Sequence, residues 1–333
     1  IERGFRVTVE RSDQSCFDAA QFAEAGCDLA PSGGWAGAPG ETFILGLKEL
    51  PEDGGALRHR HIYFAHAYKG QQGWRELLAR FGAGGGALYD LEYLEVTPGR
   101  RVATYGSWAG FAGAGLSVLA WIHRQTGEAS PFSCPSSYPD KDALIGEVGE
   151  RLANCATPPK AMIIGAAGRC GRGASEILSA LGIEVTPWDI EETRRGGPFE
   201  EILDHDIFIN CVFVSERSPP FLTRETLSRP HRLSVICDIS CDPFSEINPL
   251  PIYRQTTTFD APLMRVSDGE PAIDLIAIDH LPSMLPAESS ASFSEQLLPY
   301  LLTLEQPEAG VWGAAKAIFD SKAAVACNPS SPQ

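Results

Sequence analysis

The residues best placed to do chemistry begin with four glycines, Gly165, Gly168, Gly171 and Gly173, in the stretch GAAGRCGRGA. An apolar run over residues 161–164 ends in them, and apolar residues at helical spacing over 174–181, stopped by Gly182, follow. That order reads strand, tight turn, helix. Residues 184–188 alternate and are β-branched, a second strand that closes on Asp189. Such a turn lets the backbone approach a diphosphate, while the new helix offers unpaired N–H groups and the positive end of its dipole. A carboxylate at Asp189 would hydrogen-bond both hydroxyls of an adenosine ribose. The turn is not a clean G-x-G-x-x-G, because Ala166 stands where the first glycine would be. A glycine cluster alone also fits a tight turn in any parallel α/β domain. The strand before it, the helix after it and the acid closing the next strand together point to a dinucleotide. An acid at this place repels a 2′-phosphate, which favours NAD over NADP.

Other candidates sit at the ends of apolar runs. The run 43–47 delivers Lys48 and cannot continue past Pro51, and the run 62–65 delivers His66 and Tyr68. Functional groups of parallel α/β sheets gather at strand carboxyl ends, and both Lys48 and His66 meet that rule. Each has a plainer reading, Lys48 as a solvated lysine and His66 as a packing histidine. His59 and His61, in RHRH, read as a solvated loop, and no third ligand lies close enough in sequence to suggest a metal. Cys170 lies in the glycine turn, and Cys211 lies near the end of the run 207–214, which in a doubly wound sheet neighbours the first strand. With Cα atoms within about 7 Å the two can form a disulfide. Oxidation would then narrow the diphosphate site; two separate buried thiols are the alternative.

The elements that must position these groups follow from the rest of the chain. At 333 residues, 44% hydrophobic and 21% charged, it should form about two globular domains. A net charge of −16 argues against nucleic acid or an anionic membrane as the main partner. The longest apolar stretch, 111–122, is too short and glycine-rich to span a bilayer. No secretory or basic amphipathic presequence is visible, and nine cysteines without C-x-x-C pairs suggest a reducing, intracellular home, cytoplasmic with the peroxisome left open. Residues 1–4 read as a helix end leading into a strand over 5–9, which implies a strand preceding this chain. Further strands are expected over 87–93, 234–239 and 273–278, and helices over 17–25, 73–81, 142–153, 198–203, 222–227, 292–304 and 311–320. Residues 126–140 form a Ser/Pro-rich surface loop, and the tail after Cys327 is disordered. A long helix over 106–124 carries small residues on one side, suited to close packing where one domain meets the next.

The segments FILGLKELP, YFAHAYKGQQGW, LYDLEYL, GRRVATYGSWAGFAGA, GAAGRCGRGA, WDIEETRRGGPF, DIFINC and AIDHLPSMLP, in this order, resemble the NAD-dependent, lysine-forming saccharopine dehydrogenases of fungal lysine biosynthesis. That family is related in fold to alanine dehydrogenase and the soluble part of transhydrogenase. The resemblance implies an α/β protein of two Rossmann-like, doubly wound domains with the active site in the cleft between them. Residues 1–105 with 286–333 would form the substrate domain and residues 106–285 the NAD-binding domain. It further implies oxidative cleavage of saccharopine to L-lysine and 2-oxoglutarate, with NAD as hydride acceptor and water consumed. Lys48 is similar to the family's general base and His66 to its second acid–base group. Gln71, Arg101, Tyr105, Asp238, Ile239 and Ser240 resemble substrate contacts. Arg100, Gly168, Arg169, Asp189, Thr193, Phe213, Cys237, Ile278, Asp279, His280 and Leu281 resemble NAD contacts. Family members also carry an N-terminal strand whose arginine helps to hold a substrate carboxylate.

The chemistry asks for these residue types. Hydride leaves a carbon readily only when the attached nitrogen can donate its lone pair, so a protonated secondary amine must first lose a proton to a base, the role implied for Lys48. The imine must then take up water and collapse, with proton transfers in both directions near neutral pH, which suits a histidine of ordinary pKa about 6.5. Guanidinium forks such as Arg100 and Arg101 would orient the several carboxylates. Two other readings stay open, an amino-acid dehydrogenase of the alanine type and a catalytically silent NAD-binding protein. A monomer is expected.

Overall fold

A computed structural model describes the chain except for residues 49, 52–53, 69–70, 128–131, 134–136, 213, 215 and 327–333. Its contacts fall into two units, Ile1–Thr104 with Phe293–Gln333, and Tyr105–Ser292. The expected tail after Cys327 lies outside the described residues.

In the first unit, strand β1 (Thr8–Glu10) pairs in parallel with β2 (Asp28–Ala30), and helix α1 (Ala19–Glu24) lies between them in sequence. Asp18 caps α1 through a reciprocal capping box with Gln21, which fixes the helix start. Residues 1–4 form a turn with Gly4 at φ 86°, not the helix end expected. A second, three-stranded parallel sheet has the order β3 (Phe43–Leu45), β4 (Arg60–Tyr63), β5 (Ala87–Asp90). Helix α2 (Trp74–Gly84) joins β4 to β5, and a hairpin of β6 (Glu95–Thr97) and β7 (Arg100–Arg101) follows. Ile62, Leu78, Phe81, Leu88, Tyr89 and Trp312 form a core without solvent contact, which draws in the last helix of the chain.

His59 and His61 are the clear correction here. Expected in a solvated loop, each is 1% exposed, and His61 lies within β4. The segment RHRH is a period-two pattern in which the histidines turn inward and the arginines outward. The His61 ring meets Trp35 and Phe81 edge-on, at centroid distances of 5.1 and 5.5 Å. Among the described residues no group of three or more His, Cys, Asp or Glu is placed to hold a metal.

The second unit opens with α3 (Gly106–Thr126) and α4 (Lys141–Leu152). Strand β8 (Lys160–Ile164), helix α5 (Arg169–Ala180) and strand β9 (Glu184–Trp188) then form the expected strand–turn–helix–strand unit, followed by the short α6 (Ile190–Thr193). With β10 (Ile207–Asn210), β11 (Val235–Asp238), β12 (Met264–Ser267) and β13 (Ile273–Ile276) they give one sheet of order β12-β13-β11-β10-β8-β9. All neighbours are parallel except β12, an antiparallel edge strand. Alternate strand residues feed two cores. Ala161, Ile163, Ile207, Ile209 and Val235 meet α3, α4 and α5 on one face; Met162, Ile164, Phe208 and Ile236 meet Phe199, Leu222 and Leu250 on the other. Both faces are covered, which is why these strands read as continuous apolar runs. Of the helix expected over 222–227 only a single turn, Thr226–Ser228, forms.

The small residues of α3 pack closely against a helix of the same unit. A Cβ on Gly110 would lie 1.9 Å from the Cys170 carbonyl oxygen, and one on Gly173 would lie 1.8 Å from that of Ser107. These glycines let α3 and α5 touch backbone to backbone inside one unit, which seats the start of α5. Helices α7 (Pro286–Leu301) and α8 (Gly310–Ala326) close the chain.

Candidate active site

Apart from Arg100, which lies in the other unit, and Phe213, the candidate nucleotide residues gather at the carboxyl edge of the six-stranded sheet. The chain leaves β8 through Gly165, at φ 87°, where an L side chain is strained. The amides of Gly165 and Ala166 donate to the Trp188 carbonyl, 2.8 and 3.0 Å away, so the turn folds over the end of β9. Gly168 is the N-cap of α5 and has no side chain to cap it. A Cβ on Gly171 would fall 2.2 Å from the Gly165 carbonyl oxygen, so only glycine lets the helix start beneath the turn. A bare helix start under a glycine turn fits a diphosphate. Asp189 caps α6, accepting from the Ile190 amide at 2.9 Å, and its second oxygen accepts from the Ala167 amide at 2.8 Å. The acid thus joins the turn to the end of β9, and the Thr193 hydroxyl donates to its carbonyl at 2.8 Å.

Strand β8 lies between β9 and β10, so the chain reverses its direction of travel across the sheet there, and ligands bind at such switch points. Cys170 and Cys211 meet at this point with sulfurs 2.7 Å apart, both as free thiols. Burial raises the Cys211 thiol well above its usual range, and Cys170 beside it adds to the effect.

Next along the edge, Asp238 ends β11. It is fully buried, and its carboxylate accepts from Asn210 Nδ2 (2.9 Å), the Ser240 hydroxyl (2.6 Å) and the Tyr253 hydroxyl (2.6 Å). Its side chain organises its own loop. Asn210 and Tyr253 were not foreseen, since nothing local in sequence links them to Asp238. Cys237, Ile278 and Leu281 also point their side chains into the core, with Cys237 and Leu281 against Gly113, so only their main chains remain for a cofactor. Asp279 and His280 are exposed, 3.5 Å apart. Ile239 and Ser240 are half-buried, and Tyr105 stands at the N-cap of α3. Phe213 lies outside the described residues.

In the other unit, the amide of Gly46 donates to the Ile62 carbonyl and that of Phe64 to the Leu47 carbonyl, carrying the pairing of β3 and β4 past their regular ends. Exposed Lys48 and half-exposed His66 follow those ends directly. His66 adopts a left-handed backbone, φ 50°, rare for a residue with a Cβ. Its Nδ1 lies 3.4 Å from Glu92 Oε2, and Glu92 Oε1 lies 3.3 Å from Arg101 Nη2. The buried Glu92 carboxylate raises the His66 pKa; burial and the charge of Lys48 oppose that rise. Burial also pushes the Asp90 carboxyl up to about 6. Glu92 and Asp90 were missed because the alternation of 87–93 suggested a longer strand; the strand ends at Asp90 and frees Glu92 to turn toward His66. Arg100 is exposed on β7 beside Arg101, and Gln71 is half-buried ahead of α2.

Residues 1–112 match the family described as alanine dehydrogenase/PNT, N-terminal domain, and residues 199–326 match alanine dehydrogenase/PNT, C-terminal domain. An L-alanine dehydrogenase shares the fold with a TM-score of 0.61 at 16% identity, over 95% of this chain and 86% of that one. A transhydrogenase from Sinorhizobium meliloti does so with a TM-score of 0.63 at 15% identity, over 94% and 89%. The fold is therefore the two-domain, Rossmann-like one of the alanine dehydrogenase and transhydrogenase class. Sequence identity narrows this. The chain is 46% identical to the saccharopine dehydrogenase [NAD(+), L-lysine-forming] of Schizosaccharomyces pombe, over 96% of this chain and 90% of that protein. It is 48% identical to that of Emericella nidulans, over 97% and 91%. This chain belongs to the lysine-forming saccharopine dehydrogenase family.

Proposed function

We propose that this protein catalyses the NAD-dependent oxidative cleavage of saccharopine to L-lysine and 2-oxoglutarate. The observation that carries the reading is the coincidence of family membership over nearly the whole chain with a histidine held beside a buried carboxylate at a strand end. The likeness to L-alanine dehydrogenase, at 16% identity, is one of fold alone.

NAD, when bound, accepts the hydride. Its diphosphate would be held at the Gly165–Gly168 turn and the start of α5, its ribose at Asp189 and Thr193, and its remaining contacts along 278–281. Lys48 removes a proton from the secondary ammonium of saccharopine, so that the nitrogen lone pair can assist hydride departure. His66 takes a proton from water as it adds to the imine and returns one to nitrogen as the C–N bond breaks. Glu92 strengthens the hold of the ring on a proton and shares its own charge with Arg101. Arg100, Arg101 and Gln71, in the same unit, orient substrate carboxylates. The balance is saccharopine, NAD⁺ and water giving lysine, 2-oxoglutarate, NADH and a proton. The unit Tyr105–Ser292 is the NAD-binding domain and the other unit the substrate domain.

The test is NADH formation with saccharopine, with alanine as the comparison, for the parent and for Lys48→Met and His66→Gln. Removal of either group should lower kcat on the order of a hundredfold or more while NAD still binds. Tight NAD binding with no turnover of saccharopine by the parent would instead favour a silent nucleotide-binding protein.

A further inference from the structure

Behind His66 stands an acid to which the reaction gives no role. We propose that Asp90 is a positioning residue for the acid–base group, a buried carboxylate that holds Glu92 against the His66 ring and adds a second negative charge near it. The inference rests on the catalytic role given above to His66. Asp90 is the last residue of β5 and is 1% exposed. Its Oδ1 accepts the Glu92 amide at 2.9 Å, and its Oδ2 is buried without a hydrogen-bond partner. It therefore clamps the turn that presents the Glu92 side chain to the His66 ring. Two main-chain bonds of 3.0 Å, from the Leu91 amide to the Tyr63 carbonyl and from the Tyr93 amide to the Asp90 carbonyl, close the same corner.

Asp90 also places a second anion near the imidazole. The charged and titratable groups around this corner are Lys48 after β3, Tyr63 and Tyr68 flanking His66, Glu92 and Tyr93 after β5, and Arg101 on β7; Arg80 of α2 and Asp320 of α8 act on the tyrosines. Asp90 and Glu92 both favour the charged ring, and Lys48 opposes them.

The oxygen and the charge can be separated. Asp90→Asn keeps an oxygen for the Glu92 amide and loses the charge, whereas Asp90→Leu loses both. Titration of isotope-labelled histidine, with the His66 signal assigned by its loss in His66→Gln, should show the ring titrating at lower pH in Asp90→Asn than in the parent. Steady-state kinetics of the same variant should show the corresponding limb of the pH profile moved the same way. Asp90→Leu should lower kcat on the order of tenfold or more, as misplaced catalytic groups do, with KM for NAD unchanged. An unchanged His66 titration in Asp90→Asn, or parental kcat in Asp90→Leu, overturns the proposal. Should Asp90→Leu fail to fold, the titration and pH profile of Asp90→Asn decide it. Parental turnover by His66→Gln would sink the functional reading instead, leaving the titration as a test of the clamp.

Discussion

Replacing His61 by phenylalanine should remove a large part of the acid sensitivity of the first unit. The imidazole is 1% exposed on β4, its Nε2 is buried without a hydrogen-bond partner, and burial, with His59 and Arg80 nearby, lowers its pKa from 6.5 to about 4. The folded-state pKa lies below the unfolded one, so protons bind the unfolded chain in preference. The stability at stake is whole above the unfolded pKa of 6.5, starts to fall as pH drops past it, and is lost as pH reaches about 4. A shift of this size is worth about 3 kcal/mol in total, with about 2 kcal/mol gone by about pH 5. A phenyl ring keeps the edge-on contacts with Trp35 and Phe81 and has no site to protonate. Urea unfolding of parent and variant should give stabilities that diverge by about 2 kcal/mol between about pH 7.5 and pH 5, in favour of the variant. Parallel curves, agreeing within about 0.5 kcal/mol over that range, would refute the claim that this ring is held neutral in the core.

Gly173→Ala should drive its new methyl into the Ser107 carbonyl and separate α3 from α5. A loss of about 3 kcal/mol in the stability of the second unit, with weaker NAD binding by calorimetry, is expected. Asp189→Ser keeps a capping oxygen for α6 but loses the carboxylate; KM for NAD should rise about tenfold or more and discrimination against NADP should shrink, as parallel kinetics with the two cofactors would show. Diamide should take two electrons and two protons from Cys170 and Cys211 to form their disulfide, lowering activity until dithiothreitol restores it. The raised Cys211 thiol makes that reaction faster as pH rises, and Cys211→Ser should be insensitive.

The glycine turn after β8 was legible because its signals are local. Strand, glycines, helix and acid follow one another within one stretch of chain, and steric demands such as the carbonyl oxygen 2.2 Å from a Cβ at Gly171 act between residues close in sequence. The neighbouring of β8 and β10 was legible too, since crossover rules leave few alternatives for a strand after such a unit. Short strands such as β2 and β12 were not: they have three and four residues, too few to show a period.

What the chain determined by itself was therefore the family, the dinucleotide fold and the residue types at the strand ends, all carried by patterns within short windows. Tertiary structure alone decided which polar groups are buried and what they meet. His59 and His61 turned from a solvated loop into core rings, the Asp238 carboxylate came to lie among Asn210, Ser240 and Tyr253, and Glu92 came to stand beside His66. The physical reason is that burial of a charge depends on what packs over it, and the groups that pack over these come from strands and helices far away in sequence.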